Sequence, residues 1–104
     1  MLKRRYEILL PLAHNDGRPV DRKKVEQSRE ELVERFDAVS VQPQHVLGIW
    51  VQQGIRYEDT SLRLIVDVED VPEIRQFFVE FKKTLLERFE QIEIYIVSYP
   101  VDIL

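Results

Sequence analysis

The sequence predicts a single α+β domain, a ferredoxin-like βαββαβ sandwich with an antiparallel sheet of order 4-1-3-2 and two helices on one face. Three observations predict it. A chain of 104 residues has room for one core, so residues 1–104 read as one domain. Two runs with helical periodicity are each flanked by runs that read as strands. Gln53-Gly54 sits between two extended runs, where a two-residue hairpin turn fits. The order β-α-β-β-α-β is the split βαβ pattern, and right-handed crossovers bring both helices to one side of the sheet.

Residues 6–12 alternate as a strand, with Tyr6, Ile8, Leu10 and Leu12 on one face. Residues 13–20 are rich in turn formers and read as a loop. Asp21 has the position of an N-cap, and Val20 and Val25 have the spacing of a hydrophobic staple. A helix over 22–36 follows from the stripe Val25, Leu32, Val33 and Phe36. Residues 39–52 read as extended with a break at Pro43, and residues 55–68 as the return strand, with Leu62, Leu64, Val66 and Val68 on one face. Asp70-Val71-Pro72-Glu73 has capping-box spacing with the aspartate as cap. Behind it, Ile74, Phe77, Phe78, Phe81, Leu85 and Phe89 recur at three and four residues and predict a second helix with an aromatic core stripe. Residues 92–99 read as the last strand, and Pro100 to Leu104 as an apolar tail.

Composition narrows function mainly by exclusion. The chain has no cysteine, which excludes disulfides, thiolate metal sites and cysteine nucleophiles. A net charge of −4 argues against general nucleic-acid binding. Residues 1–24 carry seven basic side chains against three acidic ones, but the fold puts Lys3-Arg4-Arg5 and Arg18 at opposite ends of the sheet, which breaks any basic track. The opening residues are followed by Glu7 and Pro11, unlike a secretory leader. No stretch approaches the roughly 18 apolar residues of a membrane span. The expectation is a cytoplasmic protein without a membrane contact. Glycine-rich phosphate loops, nucleophile elbows and zinc-ligand spacings are lacking, so neither cofactor nor metal is expected.

Two regions remain to be explained. Parity places Leu9, Pro11, Ile65, Tyr95, Val97 and Tyr99 on the helix-free face of the sheet. An uncovered antiparallel face is usually polar, so this one is expected to pack on something: a second copy, a protein partner, or the chain's own tail with Val101, Ile103 and Leu104. The second region is the hairpin end, where the topology gathers His14, Asn15, Asp16 and Arg18 near Trp50, Tyr57 and Glu58. Trp50 and Tyr57 should face each other across the hairpin. They are either a stabilising cross-strand pair or an interface or stacking platform. His14, Asp16 and Glu58 are the candidates for acid–base work. Each also has a structural reading: His14 as a turn residue, Asp16 in the same loop, and Glu58 in an ion pair with Arg56 or Arg18. Glu58 and Asp59 are adjacent and point to opposite faces, so they cannot form a paired-carboxylate site. His45, the other histidine, falls on strand 2 away from the hairpin tip. An aspartate just after strand 1 would suit a metal-dependent nuclease, but Asp16 lies several residues further on.

Gly48-Ile49-Trp50, Gly54, Glu58, a return strand ending near Asp70 and a helix closing on Phe89-Glu90-Gln91 resemble a family of small bacterial proteins of unknown function. The resemblance implies a compact α+β fold and no reaction, and it marks Gly48, Trp50 and Glu58. Taken together, the sequence favours a non-enzymatic domain acting through homo-oligomerisation, a dimer first, or a protein partner at the open sheet face. The alternative is a small enzyme or ligand-binding protein of dimeric α+β barrel type, with a pocket near His14, Trp50, Tyr57 and Glu58.

Overall fold

In the computed structural model, β1 (Lys3–Pro11), α1 (Arg22–Phe36), β2 (Ser40–Gln52), β3 (Ile55–Glu69), α2 (Pro72–Arg88) and β4 (Ile96–Val101) follow in the expected order. Residues 2–104 are described, with the side chains of residues 43–45 excepted. The strands form one antiparallel sheet of order β2-β3-β1-β4. This is the predicted arrangement, with both helices packed on one face. The expectation for His45 concerns a side chain outside the described residues.

Local chemistry sets the element ends. The Asp21 carboxylate accepts from the Lys23 backbone N–H at 2.9 Å and starts α1. Asp37, at φ 64°, closes it by donating its N–H to the Val33 carbonyl. The turn between β2 and β3 has both central residues at positive φ, Gln53 at 51° and Gly54 at 78°, as a type I′ hairpin requires. The break expected at Pro43 is a register irregularity between Gln42 and Val46.

Even-numbered positions of β1 and β3 meet the helices. Tyr6, Ile8, Leu10, Leu64, Val66 and Val68 pack with Leu32 of α1 and with Phe78, Phe81 and Leu85 of α2. Tyr6 stacks on Phe78 with ring centroids 3.9 Å apart. Arg88 joins the two helices, donating to Glu31 Oε2 at 3.0 Å and to Ser28 Oγ at 2.9 Å.

Four expectations are corrected. Asp70 does not cap α2: its carboxylate accepts from Arg4 Nε at 2.9 Å, and Val71 is the N-cap without a side-chain bond. The last strand starts at Ile96, not residue 92, because residues 92–95 cross from the end of α2 to the sheet and bury Ile94 in the core. It then runs through Pro100, which an edge strand tolerates. The tail does not fold over the sheet, since Asp102, Ile103 and Leu104 are all exposed. The helix-free face is also less apolar than expected, because Arg5, Glu7, Arg63 and Asp67 share it. Arg5 binds Asp67 through two bonds of 2.7 and 2.9 Å, Arg63 Nε lies 3.4 Å from Glu7, and Tyr99 donates its hydroxyl to Glu7. That bond holds the Tyr99 hydroxyl above its usual pKa.

β1 pairs with β3 only as far as Pro11 opposite Ser61. The hairpin therefore continues past the rest of the sheet as a two-stranded arm, in a molecule measuring 43 × 29 × 25 Å. Among the described residues, no helix is long and apolar enough to cross a membrane.

Candidate ligand cleft on the helix-free sheet face

Where the arm leaves the sheet, β2 and β3 pair Gly48 with Asp59 and Trp50 with Tyr57. The residues of these pairs all face the helix-free side, as do Leu9, Pro11 and Ser61. The segment from α2 to β4 runs beside the end of β1, tied to it by the Leu9 N–H, which donates to the Tyr95 carbonyl at 3.0 Å. Between this segment and the arm lies a cleft of about 280 Å³. Leu9 and Pro11 belong to its apolar lining, Trp50 and Tyr95 give it aromatic surface, and Asp59 and Gln91 are among its polar groups. Gly48, opposite Asp59, has no side chain to fill the space. Its size is at the lower end for small-molecule sites.

Trp50 is fixed from two directions. Its ring stacks on Tyr57 with centroids 4.3 Å apart and planes 17° off parallel. Its indole Nε1–H donates to Asp59 Oδ2 at 2.5 Å. Across the cleft, Glu93 accepts from Lys82 Nζ at 2.7 Å and from the Ile94 N–H at 2.9 Å. The lysine chiefly, with the backbone bond, holds the Glu93 carboxyl below the usual carboxylate range.

The sequence-predicted residues divide into separate groups. Trp50, Leu9 and Tyr95 come together in the cleft. Tyr57 backs Trp50 without lining it. Ile65, Val97 and Tyr99 are on the same sheet face but further along, beside the Arg5–Asp67 and Glu7–Arg63 pairs. Glu58 lies on the other side of the arm, exposed, and takes Arg56 Nη2 at 2.9 Å. The Asp16 carboxylate accepts from the Arg18 N–H at 3.0 Å and from Arg18 Nε at 2.7 Å. These bonds, the backbone one first, lower its pKa. His14 turns away from the hairpin: it is buried, with Nδ1 3.7 Å from Glu90 Oε2 at the end of α2. The expected gathering of His14, Asp16 and Glu58 around Trp50 is therefore not formed, because the arm carries Glu58 and Trp50 on opposite sides and His14 packs toward the helix layer.

Sequence reading passed over Asp59, Ser61 and Glu93 as site residues. The signal for Asp59 and Ser61 was their shared parity with Tyr57. Glu93 carried the same signal, since it shares the parity of Tyr95 in the run read as strand.

No protein-family model matches the chain, and no curated protein does. Solved structures do. The divalent cation tolerance protein (Cut A1) from Thermus thermophilus superposes with a TM-score of 0.62 at 20% identity, covering 95% of this chain and 84% of its own. A phage SAM lyase in complex with S-methyl-5'-thioadenosine gives 0.66 at 16% identity, covering 95% and 88%. The GlnK–ATP complex from B. subtilis gives 0.60 at 16%, covering 96% and 82%. The likeness is one of fold. It spans nearly the whole chain, cleft-forming elements included, and at these identities it transfers no residue roles.

Proposed function

We propose that this chain is a small-ligand-binding protein that works as a homo-oligomer, with the hairpin arm and helix-free sheet face as its contact surfaces and the cleft beside Trp50 as its ligand site. The observation that carries this reading is the arm. On one side it exposes Leu47, Ile49 and Val51, at 65%, 53% and 66%, in a row along an edge strand. A two-stranded ribbon is marginal by itself in water, and an apolar exposed edge invites pairing with another chain. A second copy satisfies both, and the simplest assembly is a dimer. The cleft supports the ligand half of the reading. Two neighbours in fold are complexes with adenosine compounds, S-methyl-5'-thioadenosine and ATP.

Sedimentation velocity tests the assembly. The protein is expected as a stable oligomer, and Leu47→Lys with Val51→Lys is expected to give a folded monomer; a wild-type monomer at high concentration would sink the oligomer. Titration with adenosine, S-methyl-5'-thioadenosine and ATP tests the cleft. The chain has a single tryptophan, so Trp50 gives one fluorescence signal and one indole N–H resonance. Binding that disappears in Gly48→Leu, which fills the cleft, supports the site. Binding that survives Gly48→Leu places the ligand elsewhere.

A further inference from the structure

The cleft's charges point to what it takes. Among the described residues, its lining includes no lysine or arginine. Two carboxylates line it, and they are not equivalent. Glu93 already has Lys82 at 2.7 Å. Asp59 is half-buried, and its one hydrogen-bond donor among the described residues is the neutral indole of Trp50. Many other acidic side chains of the fold have a cationic partner: Glu7 has Arg63, Asp67 has Arg5, Asp70 has Arg4, and Glu31 has Arg88. Asp59 faces apolar and aromatic surface instead. A half-buried carboxylate without a counter-charge is costly, and it strengthens attraction for any cation brought to it. The walls supply the matching surface, because Trp50 and Tyr95 both line this space and aromatic rings attract organic cations that shed their water easily. An anion such as a nucleotide phosphate would meet the Asp59 charge, and the nearby Lys82 is already held by Glu93.

We infer that the cleft binds a compact organic cation, of the quaternary ammonium or sulfonium class, with Asp59 as its counter-charge and Trp50 and Tyr95 as the surface against its apolar groups. The inference rests on the ligand half of the proposed function. It predicts that charge, at constant shape, decides binding.

The test uses two pairs of molecules that differ little except in that charge. Choline is compared with 3,3-dimethylbutan-1-ol, and S-adenosylmethionine with S-adenosylhomocysteine, by following the Trp50 indole N–H resonance of the full chain. The cation is expected to bind about tenfold or more tightly than its neutral counterpart in at least one pair. Asp59→Asn keeps an oxygen to accept from the indole and removes only the charge. It is expected to erase that preference while Trp50 stays in place, shown by retained ring-to-ring NOEs between Trp50 and Tyr57 in the free protein. Equal binding within both pairs, or a preference that survives Asp59→Asn, overturns the inference and leaves the cleft as a ligand site. Failure of all four molecules to bind also overturns it, and the adenosine-compound titration then decides separately whether the cleft binds ligands at all.

Discussion

At the scale of single residues, the two glycines of the hairpin do opposite work. Gly54 is needed for its backbone: at φ 78° it occupies a region that side-chain-bearing residues rarely adopt, and no atom lies within 4 Å of where its Cβ would be. The cost of Gly54→Ala is therefore conformational alone, on the order of 1 kcal/mol. Gly48 has ordinary φ, and a Cβ there would make an ordinary 3.9 Å contact with the Asp59 carbonyl. Its value lies in the space it leaves in the cleft. Gly48→Ala is accordingly expected to match or slightly exceed the wild type in stability. Urea unfolding followed at Trp50 checks both: a lowered midpoint for Gly54→Ala and no lowering for Gly48→Ala. If Gly48→Ala proves the more damaging of the two, the division of roles is wrong.

At the scale of elements, the sequence was readable wherever local rules decide. Asp21, the 22–36 stripe, the phenylalanine stripe of α2 and Gln53-Gly54 each act within a few residues, and each formed as read. Asp70 was misread because a partner 66 positions away, Arg4, took its carboxylate from the cap. The start of β4 was misread because Ile92, Ile94 and Ile96 alternate like a strand whether or not a neighbour is there to pair with. The same limit hid half of the cleft. Trp50 and Leu9 are conspicuous in sequence, whereas the far wall, residues 91–95, exists only through its crossing to β1. That wall is held by Glu93 and Lys82, and this makes a pH prediction. The folded-state pKa of Glu93 lies below its ordinary value, so its contribution to stability is whole above that value and is lost as pH falls through the lowered one. Glu93→Gln removes the contribution at all pH. Unfolding midpoints of wild type and Glu93→Gln should differ at about pH 6 and draw together as pH falls below the ordinary carboxylate range. A gap that stays constant as pH falls would show that the pair contributes nothing.

At the scale of the whole molecule, stability should be unevenly distributed, and the arm is where it should run lowest. Residues 6–10 and 62–68 are hydrogen-bonded on both strand edges or buried under two helices, with Ile8, Leu10 and Leu64 fully inaccessible. Residues 47–60 form a ribbon of two strands, with β2 at the sheet edge and no helix over the row of Leu47, Ile49 and Val51. Amide exchange proceeds through local openings whose cost scales with the contacts that must be broken, so in a dissociated chain the arm should exchange first and the 62–68 stretch last. Association changes this in a specific way. If a second copy covers the exposed row of β2, protection should appear in residues 46–52, and it should grow with protein concentration because mass action favours the assembled form. The core strands should change little, since their openings already cost close to global unfolding. Hydrogen exchange read by mass spectrometry at low and high concentration therefore separates two molecules that share one fold. Arm protection that rises with concentration marks the arm as an interface. Arm protection already equal to the core in dilute solution would mean that the ribbon is stable alone, and the strongest argument for a partner would be gone.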